Sequence, residues 1–214
     1  HNADLAMYQI KNQSRDGFAF FDPSLDQEVN RRYELERDLR AALAEEQLRV
    51  FYQPQIDITL GRVTCMEALV RWRHPRMGLL SPGDFIELAE ETRLINQLGS
   101  WVLDAACSDM SDWVNHGAQD VRVAVNFSAC QFEGEGVVAL VRETLKKHGL
   151  SGRHLEVEIT ESVLLRDFDS VTEQLRQLSD MGVLIALDDF GTGYTSLNYL
   201  KNLPVDTLKI DRSF

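Results

Sequence analysis

An apolar run from Val183 to Leu187 ends in two adjacent carboxylates, Asp188 and Asp189, followed by Gly191 and Gly193. Aliphatic residues without polar alternation read as a strand buried on both faces, hence a strand of a parallel sheet. Carboxylates at the C-terminal end of such a strand sit where barrel enzymes place their chemistry. Two neighbouring Asp residues can reach two metal ions, one residue bridging both. The plain alternative is an acidic turn, because Asp-x-Gly is common turn chemistry.

The same pattern recurs along the chain. Strands are expected at Val50 to Asp57, Val63 to Trp72, Val121 to Phe127, Leu155 to Ile159, Val183 to Leu187 and Thr207 to Ile210. Pro54 marks the first as an edge or a strand end. Gly61 turns it into the second, and the segment from His74 to Pro82 reads as a loop. Helices are expected from Ser81-Pro82, from about Leu94 to Gly117, from about Gly136 to His148, from about Phe168 to Met181, and briefly around Ser196 to Lys201. Strand–helix units of about 30 residues imply a parallel sheet, with a (β/α)8 barrel as its closure. Six strands are legible where a barrel wants eight, so roughly the last two units are expected to be missing.

Ahead of these units the pattern changes. Residues 1–22 hold a short helical pattern and the strand-like Phe18 to Phe21, too little to bury a core alone. Asp22, Pro23 and Ser24 break the chain. Residues 25–46 are charge-rich with Leu35, Leu39, Ala42 and Leu43 on one face, which gives an amphipathic helix.

Bulk properties exclude several function classes. The 214 residues carry a net charge of −12, which disfavours DNA, RNA or an anionic membrane as partner. Three scattered cysteines, Cys65, Cys107 and Cys130, form neither a disulfide framework nor a zinc motif, and fit a reducing cytoplasm. No apolar stretch approaches the roughly 18–20 residues of a membrane span.

The expected strand ends offer Glu67, Asn126, Glu158, Asp188, Asp189 and Lys209, with Glu161 just beyond one of them. Each has a structural explanation when taken singly. Glu67 fits the polar side of an alternating strand, Asn126 a turn cap, Glu158 an outward position alternating with Glu156, and Lys209 a snorkelling side chain. Together they place oxygen ligands and one amine at a single barrel mouth. Carboxylates at that density would be driven neutral without cations. Oxygen donors without His or Cys favour Mg2+, Mn2+ or Ca2+ over zinc.

These residues carry a family resemblance. Glu67, Ala68 and Leu69, set between Met66 and the Arg71, Trp72, Arg73, His74, Pro75 run, resemble the signature of EAL domains, bacterial phosphodiesterases that open cyclic di-GMP to linear pGpG. Further matches lie at Tyr52 to Gln55, Pro82 to Glu91, Val125 to Ser128, Glu158 to Ser162, Asp188 to Tyr194 and Leu208 to Asp211. The resemblance implies a barrel domain over 39–214, a linker helix over 23–38, and over 1–22 the tail of a GGDEF diguanylate cyclase domain. It implies two Mg2+ or Mn2+ ions, with Ca2+ inhibitory. Glu67, Asn126, Glu158 and Asp188 would hold the first ion, and Asp188 and Asp189 the second. Lys209 would contact the attacking water, and Glu161 would hold the loop after Asp189. Arg71 would contact phosphate and Gln53 a guanine, with Leu69 and Asp211 at further substrate-binding positions.

The family's next acidic ligand and its late glutamine have no counterpart here, so this stretch by itself is expected to be weakly active or inactive. The alternative reading is a non-catalytic module that binds cyclic di-GMP. A third is a docking domain for a neighbouring cyclase, suggested by the helix over 25–46. The resemblance also implies a homodimer and a covalently linked GGDEF domain.

Overall fold

The structure is a computed structural model that describes residues 23–134, 136–165, 167–191 and 201–214, with side chains from residue 30 onward. The chain forms helix α1 (Pro23–Ala42), strands β1 (Leu48–Asp57), β2 (Arg62–His74) and β3 (Gly78–Leu80), and helices α2 (Ile86–Glu91) and α3 (Ile95–Asn115). There follow β4 (Arg122–Phe127), α4 (Gly136–His148), β5 (Leu155–Thr160), α5 (Glu161–Leu164), α6 (Phe168–Asp180), β6 (Leu184–Phe190) and β7 (Thr207–Ile210). The sheet runs β1-β2-β4-β5-β6-β7, with β3 beside β2. It is a curled half-barrel with helices on its outer side. The expected cyclase tail at 1–22 and the short helix at 196–201 fall wholly or mostly outside the described residues.

Two details differ from the sequence reading. β1 pairs antiparallel with β2, with Gln53 opposite Glu67, whereas β2, β4, β5, β6 and β7 are mutually parallel. Four residues between β1 and β2 suffice for a hairpin but not for a crossover. The segment from His74 to Pro82 is not all loop, because Gly78–Leu80 pairs antiparallel with β2. Three residues are too few for any periodicity to announce a strand.

Alternation sorts each strand into two faces. Val123, Val125 and Phe127 of β4, Leu155, Val157 and Ile159 of β5, and Ile185 and Leu187 of β6 point outward and are buried in one core. The helices supply the other half at helical spacing: Ile95, Leu98, Val102 and Met110 from α3, and Val171, Leu175 and Leu178 from α6. α1 joins through Leu35, Leu39 and Ala42. Its polar face is tied to the β2–β3 turn, with Arg76 donating to Glu34 and Asp38 and His74 Nε2 3.3 Å from Asp38. The opposite face of the sheet carries Glu67, Glu156, Glu158, Asp188 and Lys209, so the fold separates apolar and ionisable residues by strand parity alone.

The turn before β5 leaves no room for a side chain at Gly152. A Cβ there would lie 2.1 Å from the Met181 carbonyl oxygen and 2.8 Å from the Val183 amide nitrogen. Both are backbone atoms of the turn between α6 and β6 and cannot rotate away. Gly152→Ala is therefore expected to destabilise the protein by about 1–3 kcal/mol, as overpacking does. Urea denaturation checks this, and a stability equal to wild type would show that the turn can relax.

The same turn buries His154. Burial, aided by the neighbouring Arg153 guanidinium, pushes the imidazole pKa below its ordinary value. Arg153 Nε donates to Nε2, and Nδ1 lies 3.2 Å from Ser151 Oγ. The folded state thus favours neutral imidazole. Its contribution to stability is complete above the unfolded pKa of about 6.5 and is lost as pH falls below it. Denaturation midpoints measured from pH 7.5 to 5 should fall more steeply for wild type than for His154→Gln.

Candidate active site

The C-terminal ends of the parallel strands bring separate residues to one place. Alternation puts Glu67, Leu69 and Arg71 of β2 on the inner face, with Asn126 of β4, Glu158 of β5, Asp188 of β6 and Lys209 of β7. Register sets Asn126 beside Glu158 and Thr160 beside Asp188. Glu67, Glu158 and Asp188 each offer a carboxylate oxygen within 4.8 Å of the other two. Glu158 is fully buried, while Glu67 and Asp188 are partly exposed at the mouth.

Lys209 sits among these carboxylates. Its Nζ donates to Glu158 Oε2 at 2.7 Å, Asp188 Oδ2 at 2.8 Å and Glu67 Oε2 at 3.1 Å. Asn126 Nδ2 donates to the other Glu67 oxygen at 3.0 Å, and Gln55 Nε2 lies 3.4 Å from Glu158 Oε1. Burial pushes the Glu158 carboxyl up to about 7, opposed by Lys209 and reinforced by the charges of Glu67 and Asp188. Burial works against the Lys209 ammonium too, but the hydrogen-bonded Asp188 and Glu158 carboxylates outweigh it and raise its pKa. One ammonium faces three acidic groups, so the cluster retains unbalanced negative charge. Three hard oxygen donors around one point suit a divalent cation of the Mg2+ or Mn2+ type, and the ammonium at their centre marks where positive charge is accepted.

Asp189 stands apart from that triad. Its φ is 52°, a left-handed conformation uncommon for a residue with a side chain, and its amide donates to Asp188 Oδ1 at 2.8 Å. Desolvation raises its carboxyl pKa, followed by the charges of Asp188 and Asp211. Asp211 accepts from the Ser213 amide at 2.8 Å, and hydrogen bonding by the Ser213 side chain, followed by that of its amide, holds its pKa low. Glu161 is buried, and its Oε1 accepts from the Gly191 amide at 2.8 Å. It therefore fixes the first residue after β6, while 192–200 lie outside the described residues.

The remaining sequence candidates line the approaches. Gln53 is exposed on β1. Leu69 and Asn126 both border a cavity of about 370 Å3, walled by Pro82, Ile86, Ile95 and Leu98. Arg71 lies with its guanidinium carbon 5.9 Å from the centre of the Phe51 ring.

Three residues were missed in the sequence reading. Gln55 shares the parity of Gln53, which was the available signal. Phe51 belongs to the same alternation. Glu156 is the clearest case: it is not an outward alternate but fully buried, and its Oε2 accepts from Arg122 Nε at 2.7 Å. Its two-residue spacing from Glu158 already required a shared face.

Comparison with known proteins gives the family of the chain. The EAL domain family model matches residues 36–214. The bifunctional diguanylate cyclase/cyclic di-GMP phosphodiesterase MucR of Pseudomonas aeruginosa is 50% identical over 213 residues, covering 100% of this chain and 31% of MucR. The cyclic di-GMP phosphodiesterase NbdA of the same organism is 44% identical over 213 residues, 100% of this chain and 27% of NbdA. The chain thus spans about a third or less of the length of these relatives. The solved c-di-GMP complex of the PaMucR phosphodiesterase superposes with a TM-score of 0.81 at 51% identity, over 84% of this chain and 73% of that one. On the family match, these identities and the shared fold, the chain belongs to the EAL domain family.

Proposed function

We propose that this domain hydrolyses one phosphodiester bond of cyclic di-GMP to give linear pGpG, with two bound Mg2+ or Mn2+ ions. The carrying observation is the convergence of Glu67, Glu158 and Asp188 within 4.8 Å at the mouth of the half-barrel. Glu67, Asn126, Glu158 and Asp188 would hold one cation, and Asp188 with Asp189 the other. Such cations polarise a phosphoryl oxygen and acidify water.

The chain's own residues account for binding and orientation. Arg71 presents a planar fork that can donate twice to a phosphodiester. The apolar cavity beside Leu69 offers a dry wall for a guanine base, with Gln53 and Asp211 as polar contacts. Glu161 fixes Gly191 and hence the exit of β6 that carries both Asp residues. Lys209 supplies positive charge beside the attacked phosphate. The reading includes a cytoplasmic domain, consistent with three buried cysteines. It also includes a homodimer and a GGDEF domain on the same polypeptide, as the name of MucR suggests for that relative. Among the described residues no helix is long and apolar enough to cross a membrane.

The test uses the full-length polypeptide carrying this sequence, incubated with cyclic di-GMP and Mg2+ or Mn2+, with pGpG followed by chromatography. Turnover is expected, and Ca2+ should permit binding without turnover. Binding without turnover in every metal would instead identify a non-catalytic receptor, and absence of binding would reject both readings. In the same assay, Glu161→Ala is expected to lower turnover by about ten- to a hundredfold, the usual range for groups that orient metal ligands. Unchanged turnover would show that Gly191 needs no anchor.

A further inference from the structure

The position of Lys209 has a consequence for cation loading. Its Nζ lies 2.7–3.1 Å from one oxygen each of Glu67, Glu158 and Asp188. Those three side chains are the group with carboxylate oxygens close enough to share one cation among the described residues. A divalent ion coordinated by all three would fall at nearly the same point as the ammonium. Two cations cannot share that point, since like charges a few ångströms apart repel strongly near a protein surface. Lysine is suited to leaving: its charge rides on a flexible four-carbon stem, and Lys209 is 22% exposed toward the mouth.

We propose that Lys209 is an internal counter-ion that occupies the cation position when metal is absent and competes with metal for Glu67, Glu158 and Asp188. This rests on the reading of those carboxylates as a metal site. The lysine keeps the carboxylates together in the metal-free protein, and it weakens metal affinity by the work of displacing it. Its charge then sets the metal concentration at which the site fills, a role separate from any contact with substrate.

The inference is tested with Mn2+ alone, by calorimetric titration of the full-length wild type and Lys209→Met, together with melting temperatures with and without the ion. The expected result is Mn2+ binding about tenfold or more tighter in Lys209→Met. Its metal-free melting temperature should be lower than wild type and should be restored by Mn2+. Equal or weaker binding in Lys209→Met, with wild type still binding Mn2+, overturns the competition and leaves the metal site standing. Failure of both proteins to bind Mn2+ rejects the metal site and the inference together. A second measurement covers a variant that does not fold: acylation of Lys209 in the wild type, read by peptide mass. The labelling rate should rise on Mn2+ binding, and an unchanged rate with the ion bound overturns the proposal.

Discussion

Glu158→Gln is expected to reduce cyclic di-GMP hydrolysis by about a thousandfold while leaving the protein folded. The side chain is fully buried, hydrogen-bonded to Lys209 at 2.7 Å and neighboured by Gln55 at 3.4 Å. Glutamine fills the same volume and keeps an oxygen for Lys209, so packing survives. It removes a negative charge from the centre of the donor set, where a neutral oxygen is a much poorer partner for a divalent cation. The site already disfavours ionised Glu158 without such a cation, because burial lifts the carboxyl to about 7. Steady-state kinetics with a melting curve for each protein checks both halves of the expectation. A variant that melts like wild type and turns over within a factor of about ten would remove Glu158 from the proposed chemistry.

Arg122→Met is expected to destabilise the protein by about 3–5 kcal/mol. Its partner Glu156 is fully buried, and the salt bridge at 2.7 Å is direct. Cys65 Sγ lies 4.0 Å from the same carboxylate and is too weak a donor to replace a guanidinium. Removing Arg122 therefore strands a charge on the inner face, below Glu158 on the same strand. The double variant Arg122→Met with Glu156→Met removes both charges and should recover most of the loss, since an apolar pair avoids desolvation of either ion. Urea unfolding of the three proteins decides it. A loss below about 1 kcal/mol for Arg122→Met alone would mean that water or another group compensates Glu156.

The two expectations concern residues of unequal legibility. Glu158 was readable because a carboxylate at the end of an apolar strand is conspicuous and because its surroundings resemble a family motif. Glu156, two positions earlier, carries the same parity but reads as an ordinary outward residue. Only the inward curl of the sheet, with helices covering the other face, decides which side of β5 is enclosed. Arg122 was silent for the same reason: its partner lies 34 positions away in sequence. Asn126 and Asp188 were identified correctly as strand-end groups. That Asn126 donates to Glu67 while Asp189 takes a left-handed backbone conformation depends on register and on one backbone torsion, neither of which has a sequence pattern.

Strand order shows the same division. The parallel units were legible as alternating apolar runs and amphipathic helices, and the β1–β2 turn as a glycine between two strands. The antiparallel placement of β1 follows from the shortness of that turn, and it brings Gln55 within reach of Glu158 and Phe51 beneath Arg71. Local chemistry thus determined the α/β class, the parity of each strand and the residue types at the site, because these depend on side-chain periodicity. The tertiary structure decided which oxygens converge and that the Lys209 ammonium stands among them. Those outcomes depend on side chains as much as 142 residues apart in the chain meeting across the curled sheet, whose register is set by packing rather than by any local pattern.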